Sequence, residues 1–429
     1  MTRRRGLSRR TLLRATATAV AGVALPTAAG CAGGGSPTQV AVVWSGGELQ
    51  RFQQVLDGYR PGAVAISTGD DIDGFLRARR LAGTAPDVAV LRPGLVTEYA
   101  GRGWLTELRP RLGEPFPPAL NDLVRLNGRL YAVWIKIAHK SLLWHRPDLL
   151  PGVPPGTWDE FVTRTRDLGA RAAGGAGPAP LSIGAADGWV LTDWFENVLA
   201  QESSRDLYDA LAAGQPWWDR TPVTTALHRL AEIWRLPGAF PGGGRRALLT
   251  QFDESVIEVS ARRRAAMLAG ADFVEGLART FHTGSEPLVS TPFPRLPDRP
   301  ASLIVGGDAA VVLNGSPAGL RLVDWLVTEA DFGPWLAGGG YLSPNSTVDL
   351  AAYPDDLHRD LAREIQTADD LRFDLSDRLR APFTGSDGTG IWRLMQDFFA
   401  EVTGGREPDL AVRSVVDRLN RAAVEAGGR

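Results

Sequence analysis

From residue 39 onward, short apolar runs alternate with longer stripes of helical period. Gln39–Val43 is an apolar run that reads as a buried strand, ending in Trp44-Ser45-Gly46-Gly47, and Glu48 to Tyr59 carries a helical pattern. Ala63–Ser67 predicts a second strand, with Thr68-Gly69-Asp70-Asp71 as its exit loop. A helix follows over Ile72–Ala82, then a third strand over Asp87–Leu91. Strands and helices alternating at this spacing predict α/β units around a mainly parallel sheet. The middle of the chain is richer in helix, predicted over 158–173, 192–201, 222–235 and 248–259. Thr157-Trp158-Asp159-Glu160 has the form of a capping box, a Thr and a Glu three residues on that satisfy free N–H groups at a helix start. Ala301–Val305 and Ala309–Leu313 read as two strands flanking a Gly306-Gly307-Asp308 turn. The last hundred residues read as mostly helical, as in 318–329, 357–368 and 390–402, and no internal repeat is visible.

The first thirty residues do not share this pattern. Six arginines (3, 4, 5, 9, 10 and 14) and no acid precede 16 small or apolar residues that end at Cys31. Spanning a bilayer takes about 20 apolar residues, so the segment predicts a cleavable signal peptide over 1–30. Ser8-Arg9-Arg10-Thr11-Leu12-Leu13-Arg14 resembles a twin-arginine export motif, which a receptor reads as an address. Cys31, the single cysteine, directly follows Ala28-Ala29-Gly30 and resembles the lipidated cysteine of a bacterial lipobox, with Ala28 where Leu is usual. Residues 31–38 are a Gly/Ser/Pro tether. With one cysteine, a disulfide and a thiolate metal site are both excluded.

Charge narrows the classes of partner. The whole chain is −2, with 47 basic and 49 acidic residues, and beyond residue 30 it becomes −8. That argues against nucleic acid, which calls for a basic face. The 399 residues beyond the signal are enough for two lobes.

Two stretches could carry chemistry. The chain has 45 Arg and only two Lys, Lys136 and Lys140, both in Tyr131–Lys140. The alternation there predicts a strand with Trp134, Lys136, Ala138 and Lys140 on one face. Either this face needs compact ammonium groups rather than planar guanidinium, or it is a solvated edge. The second stretch is Asp187-Gly188-Trp189-Val-Leu-Thr-Asp193-Trp194-Phe195-Glu196. Sugar rings have apolar faces and hydroxyl edges, so a flat indole with carboxylates around it suits them. Buried tryptophans with solvated acids would give the same string. Weaker candidates lie in loops: Trp44, Ser45 and Glu48 after the first strand, Asp71 after the second, Asp308 in the Gly-Gly-Asp segment, and Asp374 with Asp377. A nucleophile elbow, a phosphate loop and a dinucleotide fingerprint are all missing, and the five His show no metal-ligand spacing. No enzyme activity, cofactor or metal is expected.

Taken together, the residues resemble the sugar-binding proteins of ABC importers, especially the α-glucoside-binding branch. The likeness runs through Trp44-Ser-Gly-Gly-Glu48, Ala85-Pro86-Asp87-Val88, Asn127-Gly128-Arg-Leu-Tyr131 and Lys140-Ser-Leu-Leu-Trp144. It continues in Pro154–Glu160, Asp187–Glu196, Arg264–Gly270 with Asp272-Phe273, and Gly306–Asp308. The last matches are Gly339–Asn345 and Phe373–Asp377. Ala132, Trp134 and His145 depart from the family's usual Gly, Pro and Tyr.

The resemblance implies a type II periplasmic-binding fold, two α/β lobes joined by crossing strands with the ligand in the cleft. Lobe one would comprise 39–142 and 290–330, and lobe two 143–289 and 331–429. Ligand contact is carried onto Trp44, Ser45, Glu48, Asp71, Lys136, Lys140, Trp189, Asp193, Trp194, Glu196, Asp272, Phe273, Asp308 and Asp377. The implied protein is a monomer, lipid-anchored through Cys31 on the outer face of the cell membrane. It hands a sugar to ABC permease subunits. The rival expectations are an exported glycosidase acting through two carboxylates and a binding protein for a non-sugar solute.

Overall fold

A computed structural model describes residues 36–69, 71–281, 287–380, 383 and 390–427. The predicted signal peptide, Cys31 and Asp70 lie outside the described residues. The first strand, β1 (Thr38–Val42), is followed by α1 (Gly46–Leu56), β2 (Ala63–Ser67), α2 (Ile72–Leu81), β3 (Val88–Leu91) and α3 (Pro93–Gly101). β1 lies between β2 and β3, parallel to both, and is buried from Val40 to Val42. Such runs, apolar on both faces, are what a strand covered by helices requires. Asp71 starts α2 by accepting the Gly74 amide, as an N-cap does.

A short hairpin, β4 (Arg125–Leu126) with β5 (Arg129–Leu130), leads into β6 (Ala132–His139) and β7 (Leu142–His145). Beyond come β8 (Ala179–Leu181), α4 (Gly188–Glu202), β9 (Ala265–Ala269), α5 (Val274–Phe281) and β10 (Val289–Pro292). β11 (Leu303–Val312), β12 (Leu371–Phe373) and α6 (Leu375–Arg378) follow. The first sheet has the order β12-β11-β3-β1-β2, with β6 on the other edge of β11; the second has the order β10-β7-β9-β8. The first is mixed, because β11 runs antiparallel to β3 and β6.

The chain passes between the sheets three times. β6 runs into β7 through Lys140 and Ser141, β10 leads through residues 293–302 into β11, and β12 leads into α6. Ser141 ties the first two crossings together: its Oγ accepts the Ile304 amide at 2.8 Å and its carbonyl accepts the Phe293 amide at 2.8 Å.

Four expectations are corrected. Gly306-Gly307-Asp308 is no turn: β11 runs through it as one ten-residue strand with a register shift between Asp308 and Ala309. The glycines are there for close approach, since a Cβ at Gly306 would lie 2.6 Å from Lys140 Cε and one at Gly307 2.6 Å from the Lys136 carbonyl. The same bulge pairs Lys136 with Asp308 but Trp134 with Ala309, and consecutive strand residues face opposite sides. Trp134 therefore leaves the lysine face and packs on Phe373 at 5.4 Å. Strand pairing also redraws the lobe boundary. β10 belongs to the second sheet and β12 to the first, and Trp335 packs on Trp44 and Phe52 beside α1. In the middle of the chain, the helix expected over 248–259 begins only at Phe252 and runs to Ser260, after a separate short helix over Gly243–Ala247.

Candidate functional site

β6 is buried along its whole length, so its lysines are not on a solvated edge. The side chains of Lys136, Ala138 and Lys140 share a face with Gly306 and Asp308 of β11. Each lysine heads one node of a polar cluster.

The first node is built on Lys136, which is 3% exposed. Its Nζ donates to Glu48 at the start of α1 and lies 5.0 Å over the Phe273 ring. Burial alone would lower the Lys136 pKa, but Glu48, Asp272 and Asp308 outweigh it and raise the pKa. The Trp44 indole donates to Asp308 at 3.2 Å, and its ring packs edge-on against Phe52 and Trp335. Asp272 is fully buried at the entry to α5. Its Oδ1 accepts the His139 amide at 2.8 Å, while its Oδ2 has no hydrogen bond. Burial pushes both Asp272 and Asp308 up, against the pull of Lys136.

The second node is built on Lys140 at the first crossing. Its Nζ donates to Asp193 of α4 at 3.1 Å and to Asp374 at the third crossing, and lies 5.8 Å over Trp189. Burial opposes its charge, but Asp193 and Asp374 hold its pKa well above the usual lysine range. Asp374 stays below the usual carboxylate range despite burial, because Lys140 and the Asp377 amide bind its ionised form. Burial raises Asp193 to about 7, Lys140 only partly offsetting it, and burial with repulsion from Asp374 raises Asp377 to about 8. The Trp189 and Phe273 rings are 6.2 Å apart, so the two nodes join into one aromatic and ionic surface.

Not every expected contact residue lies there. Trp194 is 1% exposed, between Phe161 and Phe293, on the core side of α4. Glu196 is also enclosed: its carboxylate accepts the Leu375 and Ser376 amides at 2.7 and 3.0 Å and the Tyr208 hydroxyl at 3.2 Å. The helical period explains the placement of Trp194, which turns away from the face that Trp189 and Asp193 share. Glu196, seven residues after Trp189, stays on that face near Lys140, with its carboxylate taken up by the Leu375 and Ser376 amides. Ser45 is exposed at the N-cap of α1, and Asp71 is exposed and occupied in capping α2. Asp374 was noted in the sequence only as the i, i+3 partner of Asp377, yet it is the acid that grips Lys140. An Asp three residues before a helical amide is the signal of an N-cap that could have singled it out.

Within reach of the two ammonium groups stand seven carboxylates: Glu48, Asp193, Glu196, Asp272, Asp308, Asp374 and Asp377. Together with the rings, this set offers hydroxyl acceptors, two donors and flat apolar faces. Surface hollows of about 390 and 520 Å³ lie elsewhere and include no residue of either node. The described residues contain no His/Cys/Asp/Glu group suited to a metal ion, and no helix among them is long and apolar enough to cross a membrane.

Two sheets joined by three crossings, with an ionic cluster where they meet, define a two-lobe binding fold. Solved structures agree. A chitin oligosaccharide binding protein superposes with a TM-score of 0.74 at 17% identity, over 91% of this chain and all of that one. The apo form of RafE from Streptococcus pneumoniae gives 0.64 at 16%, over 91% of this chain and 98% of that one. The fold is the type II periplasmic-binding fold with two lobes. Residues 63–331 match the bacterial extracellular solute-binding protein family, and the chain belongs to it. Among curated relatives, the osmoprotective compounds-binding protein GgtB of Synechocystis is 28% identical over 380 residues, 84% of this chain and 88% of that protein. The alpha-glucosides-binding periplasmic protein AglE of Rhizobium meliloti is 26% identical over 352 residues, 77% of this chain and 75% of that protein. Membership makes this a solute-binding protein that works outside the cytoplasm.

Proposed function

We propose that the protein captures a sugar, an α-glucoside or another oligosaccharide, between its lobes and delivers it to the permease of an ABC importer. The observation that carries this reading is the meeting of Lys136 and Lys140 with Trp189, Phe273 and seven carboxylates at the crossing strands. The ring faces suit pyranose C–H faces, the carboxylates accept hydroxyl protons, and the ammonium groups donate. Asp272 Oδ2, buried and without a hydrogen bond, gains one from a ligand hydroxyl. The contact set is Trp44, Glu48, Lys136, Lys140, Trp189, Asp193, Asp272, Phe273, Asp308, Asp374 and Asp377. Ligand held by one lobe makes the other lobe's contacts favourable and shifts the open–closed equilibrium.

The name of AglE, an alpha-glucosides-binding protein, supports a sugar ligand. In this reading the body is a monomer, exported through the twin-arginine signal and anchored by diacylated Cys31 on the outer face of the membrane. It binds without chemical turnover, and a separate ATPase drives transport.

A thermal-shift panel with maltose, trehalose, other α-glucosides, β-linked disaccharides, amino acids and polyamines tests the reading. A ligand at 100 times its Kd stabilises the fold by about 2.7 kcal/mol. One or more of the sugars should shift the melting temperature, be recovered unchanged, and lose the shift in Trp189→Ala. A response confined to non-sugars, hydrolysis of the sugar, or an undiminished response in the variant overturns it.

A further inference from the structure

We propose that the amino-terminal end of the first sheet is a docking surface for anionic phospholipid. The proposal goes beyond solute capture but rests on the anchoring of Cys31 described above.

The topology sets the geometry. β1, β2 and β3 are parallel, and α2 and α3 each run from the carboxyl ends of these strands back to their amino ends. The turns after α2 and α3 therefore lie where β1 begins. Contacts confirm the placement: the Gln39 amide donates to Asp87 at 2.9 Å, the Leu313 amide to the Asp87 carbonyl at 3.0 Å, and the Asn314 amide to the Trp104 carbonyl at 3.2 Å. Cys31 stands seven residues before Thr38, a tether that spans at most about 25 Å. An anchor on that cysteine keeps this end of the sheet close to the lipid.

The side chains at this end suit such a neighbour. Residues 81–84 are all exposed, and Leu81, at 91%, is the most exposed large hydrophobic among the described residues. Arg80 lies 4.7 Å over the Trp104 ring and donates to Asn314, Arg102 lies 5.3 Å over the same ring, and Arg79 lies 5.5 Å over Phe75. The acids nearby are engaged. Glu98 holds Arg77 and Arg102, and Asp87 holds the Gln39 amide and the Ser316 hydroxyl. Among the described residues, Arg79 and Arg80 form no ion pair. Guanidinium groups bind phosphate in bidentate fashion, Trp settles at headgroup depth, and an exposed Leu gains by entering the acyl boundary.

The chain beyond residue 30 is acidic overall, so an anionic bilayer attracts a patch rather than the whole body. The solute site lies at the other end of β1, where Trp44 and Glu48 follow it.

The test couples the chain from Cys31 onward, through its lone thiol, to a maleimide lipid in vesicles. Amide hydrogen exchange at 81–84 and 102–104 is then compared on phosphatidylglycerol-containing and pure phosphatidylcholine vesicles. We expect exchange slowed at least about five-fold on the anionic vesicles alone, reversed by salt and absent in Arg79→Gln/Arg80→Gln and in Leu81→Ser. Equal exchange on both lipids, or slowing that persists in the variants, overturns the proposal. Chemical coupling makes this result independent of whether Cys31 is acylated in cells, so failure of the anchoring reading is seen separately, by mass spectrometry of the exported protein.

Discussion

The two lysines of this chain, four residues apart, one within β6 and one just past its end, live in different surroundings. Lys140 is held by two carboxylates, Asp193 from α4 and Asp374 from the third crossing, and so ties together segments distant in sequence. Lys136 contacts one carboxylate, Glu48, which is 30% exposed, and beside it Asp272 keeps an oxygen without a partner. Charges satisfied by the protein from several directions serve architecture, whereas a charge beside an unmet acceptor is placed to meet a ligand. Lys140 is first of all a fastening of the crossings, and Lys136 faces the solute.

Substitutions separate the two. Lys140→Met strands Asp193 and Asp374 as buried acids without their cation, and breaking such a pair costs about 3–5 kcal/mol. Denaturant unfolding should show that loss; a change below about 1 kcal/mol would mean the node is not structural. Lys136→Met should cost less, about 1–2 kcal/mol, because Glu48 can turn to water. It should nevertheless abolish the sugar-induced thermal shift, and a variant as destabilised as Lys140→Met would erase the distinction.

A third effect is in pH. Asp193 and Asp377 titrate near 7 and 8 when folded, above the unfolded value of 3.8. Between these values the folded state binds more protons than the unfolded state. Their contribution to stability is therefore full below about pH 4 and is lost as pH rises toward 8. Stability of the ligand-free protein should decline from pH 5 to pH 8, less steeply in Asp377→Asn. An unchanged slope in that variant would remove Asp377 from the node.

Much of the fold was legible because local pattern and tertiary demand agree. Ala63–Ser67 and Trp158–Ala173 fall where periodicity put them, and the Thr157/Glu160 capping box is formed, with the Glu160 amide donating to Thr157 Oγ1 at 3.3 Å and the Glu160 carboxylate accepting the Thr157 amide at 3.0 Å. The reading failed where one residue serves a distant partner. The glycines of β11 looked like a turn because the sequence does not show which side chain crosses them. The aromatic-acidic stretch read as one surface, but α4 divides it, with Trp189, Asp193 and Glu196 toward Lys140 and Trp194 toward the core.

The sequence by itself determined the α/β alternation, the family, and the residue types able to hold a polyhydroxylated solute, because these follow from periodicity, composition and short motifs. Only the tertiary structure decided which acids grip which lysine, that Asp374 belongs with them, and that a bulge at Asp308 sends Trp134 to the other face. Those outcomes depend on contacts between positions 53 to 234 residues apart, where burial and Coulomb attraction act through space and leave no local trace along the chain.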